Sequence, residues 1–439
     1  MAWLGVYVLT FNCARNVVQS DIFASHLFDV LPKSGPQPTD LPEVLVLSLQ
    51  EVAPIAYAFL GGSFLDPYYN ALRRAVDIAS GDERYYRNIV TKNAGMTAIM
   101  VFVREDVAEK IARVETAEVG VGTQDMGHKG AAGARIGYQI SGANEDTTID
   151  LTFVAAHIAP NEWAVERRNQ DWKSISQRLV FSKAGNSEII QHPRHGENEE
   201  DVPLLQTELA EGGGRHDGLY SPVSYLFTAG DFNYRTSATR PGPKDHIKFP
   251  RPTDDVNSPH HYSRLLENDQ LSHELQQERT LQNFSEAPIR FLPTYKFSLR
   301  ASRPVDDGPL GPWTWSKNRW PSWCDRILYR DASSSTSTDS QRIEIHGYDA
   351  LPLFETSDHR AVGLSASVPL VPISAPPMFV PPFEIDPDWE RKRAIARRKE
   401  IVVGVAAYLG LTWEGNGLLL ATGLGLLGAY WALQSFLAG

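Results

Sequence analysis

Sulfur is scarce in this chain: two cysteines and five methionines in 439 residues. Cys13 and Cys324 lie in apolar or aromatic surroundings and no zinc-type spacing exists, so the expectation is two buried, reduced thiols of a cytosolic compartment. Basic charge is also short. Net charge is −11, and Arg391 to Glu400 holds six basic residues and one acid, which leaves −16 on the remainder. An acidic body excludes a non-specific nucleic-acid binder, which needs a cationic surface. An anionic substrate stays open, because a local basic pocket is enough for it. Internal repeats are absent. Met1 to Thr10 has no basic leader and alternates like a first strand.

What is present is ordinary in bulk, with 42% apolar and 22% charged residues, enough to build a sizeable core. Strand patterns run over Trp3 to Phe11, Val44 to Leu49, Ala94 to Val103, Ala134 to Tyr138, Asp150 to Ala156 and Val223 to Phe227. Helical spacing covers Asn161 to Ala184 and Tyr262 to Gln282. Polar stretches at 196–218, 236–259, 301–313 and 333–340 read as surface loops. Strands alternate with helices up to Val368, which predicts one α/β domain over 1–368. Composition then shifts. A proline-rich linker fills 369–390, a basic segment 391–400, and a hydrophobic anchor 401–439. Gly417 to Ala438 is apolar apart from Thr422, Gln434 and Ser435, and as a helix it spans about 33 Å, enough to cross a bilayer core. The basic segment ahead of it places the domain on the cytosolic side and favours anionic leaflets.

Gly230-Asp231-Phe232-Asn233 carries the chemistry. On an extended chain Asp231 and Asn233 point the same way. A carboxylate that takes a proton from water, beside an amide that orients the water, is a hydrolytic pair. The plain alternative is a turn with satisfied hydrogen bonds. Asn12, Glu51, His157, Asp325, Asp358 and His359 also lie close to strand-like runs. Strand ends along one sheet edge converge on one crevice. Hard oxygen donors without a cysteine–histidine set point to Mg²⁺ rather than zinc.

In order, the motifs are Asn12, Gln50-Glu51, Gly127-His128-Lys129-Gly130, His157 with Glu166-Arg167-Arg168-Asn169, and Gly230 to Arg235. Pro293-Thr294-Tyr295-Lys296, Pro321 to Leu328 around Trp323-Cys324-Asp325-Arg326, and Ser357-Asp358-His359-Arg360 follow. Together they resemble the inositol polyphosphate 5-phosphatases across about 1–368. Related nucleases and sphingomyelinases lack the Pro-Thr-Tyr-Lys and Trp-Cys-Asp-Arg blocks. The hydrophobic C-terminus resembles a tail-anchored endoplasmic-reticulum member of that family in yeast.

The resemblance implies a four-layer α/β sandwich, with two packed, mostly antiparallel sheets flanked by helices, plus a C-terminal transmembrane helix. It implies Mg²⁺ at Glu51 and Asn12, Asp231 as base, and Asn233 positioning water and phosphate. His359, oriented by Asp325, would stabilise phosphate charge, His157 would donate to a phosphate oxygen, and Asp358 would complete the ring. Lys129, Arg167 and Asn169 would contact substrate. Tyr295, Lys296, Lys317 and Arg319 would clamp the neighbouring 4-phosphate. His128, Asn161 and Ala361 stand where the family usually has asparagine, histidine and proline. The expected activity is removal of the 5-phosphate of phosphatidylinositol 4,5-bisphosphate by a monomeric catalytic domain on the endoplasmic-reticulum membrane. The alternatives are action on soluble inositol polyphosphates or the 3,4,5-trisphosphate lipid, a nuclease or sphingomyelinase, and an inactive phosphoinositide-binding adaptor.

Overall fold

The computed structural model describes residues 2–32, 41–81, 85–140, 148–184, 218–251, 255–298, 314–332, 342–373 and 378–437. The expected loops at 301–313 and 333–340, and nearly all of 196–218, lie outside them.

Among the described residues twelve strands form two sheets: β1 (Trp3–Asn12), β2 (Val44–Gln50), β3 (Tyr86–Ala94), β4 (Thr97–Arg104), β5 (Ile111–Gly120), β6 (Gly130–Gln139), β7 (Thr148–His157), β8 (Ser182–Lys183), β9 (Ser224–Asp231), β10 (Asp325–Arg330), β11 (Glu344–Ala350) and β12 (Val362–Pro369). One sheet runs β11-β12-β1-β2-β4-β3 and the other β10-β9-β7-β6-β5-β8. Each holds a single parallel pair, β1 with β2 and β7 with β9; the other pairings are antiparallel.

Alternation along the strands builds the layers. Val6, Val8, Val44 and Val46 face the core between the sheets, where they meet Leu151, Phe153, Tyr225 and Phe227. Tyr7, Leu9, Phe11, Leu45, Leu47 and Leu49 face outward, where they pack with Phe23 of α1 (Ser20–His26) and Leu72 and Val76 of α3 (Asp66–Ser80). α2 (Ile55–Leu60) lies between these two helices in sequence. The outer face of the second sheet packs against Trp172 and Ile175 of α4 (Val165–Arg178) and Leu271. The sandwich is therefore four layers deep, as expected. Among the polar bonds that join the sheets, Ser48 Oγ donates to the Ala229 carbonyl at 2.7 Å.

Three boundaries differ from the sequence reading. The strand expected over 94–103 spans a hairpin that turns at Gly95, φ +56°. The helix expected over 161–184 is shorter. Asn161 at φ +82° blocks an earlier start, and Ser182–Lys183 leaves the helix to pair with β5. The helix expected over 262–282 is two short pieces, α5 (Ser263–Leu266) and α6 (Gln270–Gln276). Asp269 caps the second by accepting from the Ser272 amide at 2.9 Å.

At the C-terminus, α7 (Trp389–Leu411) joins the basic segment and the apolar stretch after it into one helix. Thr412, at φ −108° and ψ 154°, separates it from α8 (Trp413–Leu437). α8 is apolar and long enough to cross a membrane, with mean hydropathy 1.3 and no burial against the body.

Gly230 of β9 pairs with Ala156 of β7. A Cβ there would lie 1.9 Å from the Ala156 carbonyl oxygen. Gly230→Ala should cost about 3 kcal/mol or more of stability, read by urea denaturation, because backbone cannot yield as a flexible side chain can.

Candidate active site

Parallel strands end together, and their antiparallel neighbours begin where they end. Asn12 at the end of β1 is level with Gln50 at the end of β2, and Glu51 follows. His157 at the end of β7 is level with Asp231 at the end of β9, and Asp325 opens β10 opposite Asp231. His359 lies three residues before β12, whose first residue pairs with Thr10. The two sheets thus bring these polar strand ends to one rim.

Asp231 is the centre, 2% exposed. Its Oδ2 accepts from Asn12 Nδ2 at 3.0 Å and lies 3.3 Å from His157 Nε2 and 4.0 Å from His359 Nε2. Its Oδ1 accepts from the Asn233 amide at 3.0 Å. Burial raises this carboxyl, but the His157 hydrogen bond and the charges of His359 and Lys129 outweigh it and hold Asp231 far below the carboxylate range. Burial and the neighbouring Lys129 ammonium push His157 down, so its ring is neutral. Lys129 Nζ bonds that ring and lies 3.9 Å from Glu51 Oε1. His157 Nε2 therefore faces both Lys129 Nζ and Asp231 Oδ2, and in a neutral ring that nitrogen either donates to the carboxylate or accepts from the ammonium.

His359 Nδ1 meets Asp325 Oδ2 at 2.8 Å, and Thr294 Oγ1 donates to the same oxygen at 2.7 Å. Burial lowers the imidazole, yet Asp325 with its hydrogen bond, then Asp231 and Asp358, lift it to about 9. Burial raises the Asp325 carboxyl against the pull of His359. Ser357 Oγ donates to the Asn12 carbonyl at 2.6 Å and accepts from the His359 amide at 3.1 Å, which fixes the Ser-Asp-His turn to β1.

Backbone strain aims two side chains. Glu51 has φ +45° and Asn233 φ +57°, a region costly outside glycine, and both are held by their surroundings. Asn233 Nδ2 donates to the Ile158 carbonyl at 3.1 Å, and the Arg235 guanidinium grips its Oδ1. Tyr234 donates to Asn169 Oδ1 at 2.7 Å.

The expected clamp residues lie on two neighbouring segments, Tyr295-Lys296 and the loop from Ser316 to Arg319. Tyr295 stacks near His359, ring centroids 4.5 Å apart, and Lys296 Nζ reaches Asp358 Oδ2 at 2.5 Å. Phe297 stacks on Trp315 at 4.5 Å, and the Ser316 amide donates to the Lys296 carbonyl at 2.9 Å, which lays the Lys317–Arg319 loop along Lys296. Lys317 is exposed. Arg319 donates to the buried Glu162 carboxylate at 3.2 Å, a partner the sequence did not signal.

Two expected substrate contacts are committed elsewhere. Asn169 is buried, donating to Glu274 Oε2 at 2.7 Å and accepting from Tyr234. Arg167 binds Asp171 and the Val121 carbonyl, both at 2.7 Å. Asn161, in place of a second histidine, suits its left-handed backbone and lends its carbonyl to Arg168 at 2.6 Å. Cys13 and Cys324 are free and buried, as expected.

Asp231, Asp325 and His359 offer ligand atoms within 4.8 Å of one another, a group with metal-holding spacing. While His359 is a cation bonded to Asp325, it repels a metal. Glu51 is the better holder, with a carboxylate 28% exposed, and the Asn12 side-chain Oδ1 keeps a second lone pair beside its bond from the Ala14 amide. An all-oxygen set of this kind fits a hard divalent cation.

The His359–Asp325 pair predicts a titration. His359's share of stability is fully present below its ordinary 6.5 and is lost as pH rises through about 9. By NMR the His359 ring should titrate near 9, and in Asp325→Asn its midpoint should fall, since burial then opposes only the charges of Asp231 and Asp358.

Residues 9–365 match the family model described as Endonuclease/Exonuclease/phosphatase family 2. Type II inositol polyphosphate 5-phosphatase 15 of Arabidopsis thaliana is 33% identical over 62% of this chain and 23% of its own length. Inositol-1,4,5-trisphosphate 5-phosphatase 1 of Schizosaccharomyces pombe is 29% identical over 61% of this chain and 18% of its own length. The chain thus spans less than a third of the length of the curated relatives it matches. Among solved structures, the inositol polyphosphate 5-phosphatase domain of SPsynaptojanin, in complex with inositol (1,4)-bisphosphate and calcium ion, superposes with TM-score 0.58. It is 22% identical, covering 91% of this chain and 90% of that one, which supports the fold. The chain belongs to the endonuclease/exonuclease/phosphatase family.

Proposed function

We propose that this protein removes the 5-phosphate of phosphatidylinositol 4,5-bisphosphate. The observation that carries the reading is that Tyr295 lies against His359 and that the next residue, Lys296, is joined through its backbone to the loop bearing Lys317 and Arg319. A second phosphate next to the scissile one needs cations so placed; cleavage of a simple phosphodiester does not. The Arabidopsis and S. pombe relatives are named for inositol phosphate substrates, which supports the class.

In this reading water attacks the 5-phosphorus and the bond from phosphorus to the inositol oxygen breaks. Asp231 orients the water and takes its proton. Its depressed pKa makes it a weak base at rest, so proton transfer comes late, as the water becomes acidic on bonding phosphorus. Asn233, braced by Arg235, positions water and phosphate. His359, kept cationic by Asp325, and Lys129 neutralise charge on the phosphoryl oxygens. His157 serves as a hydrogen-bonding brace on Asp231. A divalent cation held by Glu51 and Asn12, Mg²⁺ in our reading, would supply Lewis-acid charge at the phosphoryl and leaving oxygens.

The apolar α8 favours a lipid over a soluble substrate, since tethering raises local substrate concentration. With the basic start of α7 on the same side as the domain, the catalytic body faces the cytosol on the endoplasmic-reticulum membrane. A panel of the 4,5-bisphosphate and 3,4,5-trisphosphate lipids, inositol 1,4,5-trisphosphate, sphingomyelin and plasmid DNA, each with Mg²⁺, tests this. Phosphate release from the 4,5-bisphosphate lipid should lead. DNA nicking without phosphate release would overturn the reading, and binding without turnover would make the protein an adaptor.

Asp231→Asn should lower kcat by about 10²- to 10⁴-fold with the melting temperature retained. Lys317→Ala with Arg319→Ala should raise KM for 4-phosphorylated substrates about tenfold and leave substrates lacking that phosphate little changed. Steady-state phosphate release reads both.

A further inference from the structure

Helix α7 is not a loose tether. Arg391 and Lys392 pair with Asp388 and Asp386, while Arg393 and Arg397 turn inward. Arg393 Nε reaches Glu118 Oε1 of β5 at 2.8 Å, and Lys92 of β3 meets Glu118 Oε2 at the same distance. Arg397 donates to the carbonyls of Phe59 at 2.7 Å and Leu60 at 3.2 Å, closing the end of α2. Gly404 lies on Phe59, and Tyr408 packs edge-on against Tyr57 and Phe64.

Among these contacts is a buried carboxylate, Glu400, 7% exposed. Its Oε1 accepts from the Gly127 amide at 2.7 Å, and Arg397 donates to its Oε2 at 3.3 Å. Burying an acid inside a docking face is costly unless it makes a bond that needs it. The bond it makes is to the turn that leads into the site. The Gly127 carbonyl accepts from the Met96 amide at 2.8 Å, and a Cβ on Gly95 would lie 2.3 Å from that oxygen. Gly127 is thus held through its C=O by the β3–β4 hairpin and through its N–H by α7. Two residues on, the Lys129 carbonyl accepts from the Val121 amide at 2.8 Å and its ammonium lies among His157, Glu51 and Asp231.

We propose that Glu400 is a positioning residue: by holding the Gly127 N–H it fixes the turn that delivers Lys129 to the catalytic carboxylates. The helix leading to the apolar C-terminal segment is then part of the active-site frame. The inference rests on the proposed phosphatase reading for its kinetic readout.

The test uses the full chain in detergent, as wild type, Glu400→Ala, Glu400→Gln and, as a docking control, Arg393→Ala. Three quantities are read: kcat and KM on a water-soluble short-chain phosphatidylinositol 4,5-bisphosphate, melting temperature, and amide hydrogen exchange at Gly127. Glu400→Ala should lower kcat/KM about 10- to 100-fold, since a small misplacement of a charged group costs that much. Its Gly127 exchange should accelerate, while Arg393→Ala keeps kcat/KM within about threefold at a similar loss of melting temperature. Glu400→Gln, whose amide oxygen accepts the same bond, should restore kcat/KM and slow exchange. Wild-type kinetics or wild-type Gly127 exchange in Glu400→Ala overturns the proposal, as does equal loss of activity in Arg393→Ala. If wild type releases no phosphate, the functional reading fails, and exchange at Gly127 still decides whether Glu400 holds the turn.

Discussion

A buried carboxylate has to be surrounded by donors, and the architecture follows from meeting that demand at Asp231. Its partners come from both sheets: Asn12 from the end of β1, His157 from the end of β7, and the Asn233 amide from the turn after β9. Positive charge completes the shell through Lys129 and His359. Left unpaired, a charge so buried would protonate or unfold its surroundings. The two sheets must therefore pack with their polar strand ends at one rim, and within each sheet the parallel pair, β1–β2 or β7–β9, brings two of those ends level.

His359 shows the complementary demand. A buried cation needs an anion, and Asp325 supplies it, itself braced by Thr294. Two oppositely charged centres thus stand about 4 Å apart, with Asp231 held ionised and His359 held protonated. Charge separation of this kind, fixed before substrate arrives, is what stabilises a phosphoryl transition state without reorganisation.

Much of this was legible in the sequence. Val6/Val8 against Tyr7/Leu9 and Val44/Val46 against Leu45/Leu47 announce strands buried on both faces, and the polar residues closing those runs mark the rim. Family motifs supplied the remaining site residues. Less legible were strands with mixed exposure, such as β11, whose alternate residues face solvent, and β3, interrupted by Arg87 and Lys92. Helix ends were misjudged where Asn161 and Glu278 take left-handed backbone, which a periodicity count does not register. Arg235 behind Asn233 and Ser357 behind Asn12 lie in the motifs, though the motifs do not state what they hold, and Glu162 behind Arg319 carries no local signal. Asn169 illustrates the opposite error. A motif position taken as a substrate contact is a buried link between Tyr234 and Glu274.

The basic stretch before the apolar helix shows why charge counting stops short. Read as a string it is a leaflet-seeking run, yet four of its six cations are spent on Asp386, Asp388, Glu118 and the end of α2. The central claim remains the regiochemistry of the site: a clamp on one phosphate presents its neighbour to Asp231 and His359. The most direct measurement is phosphorus NMR of the product formed from phosphatidylinositol 4,5-bisphosphate. The account predicts that the 4-phosphate remains on the ring and the 5-phosphate is released; a product that keeps its 5-phosphate would contradict it.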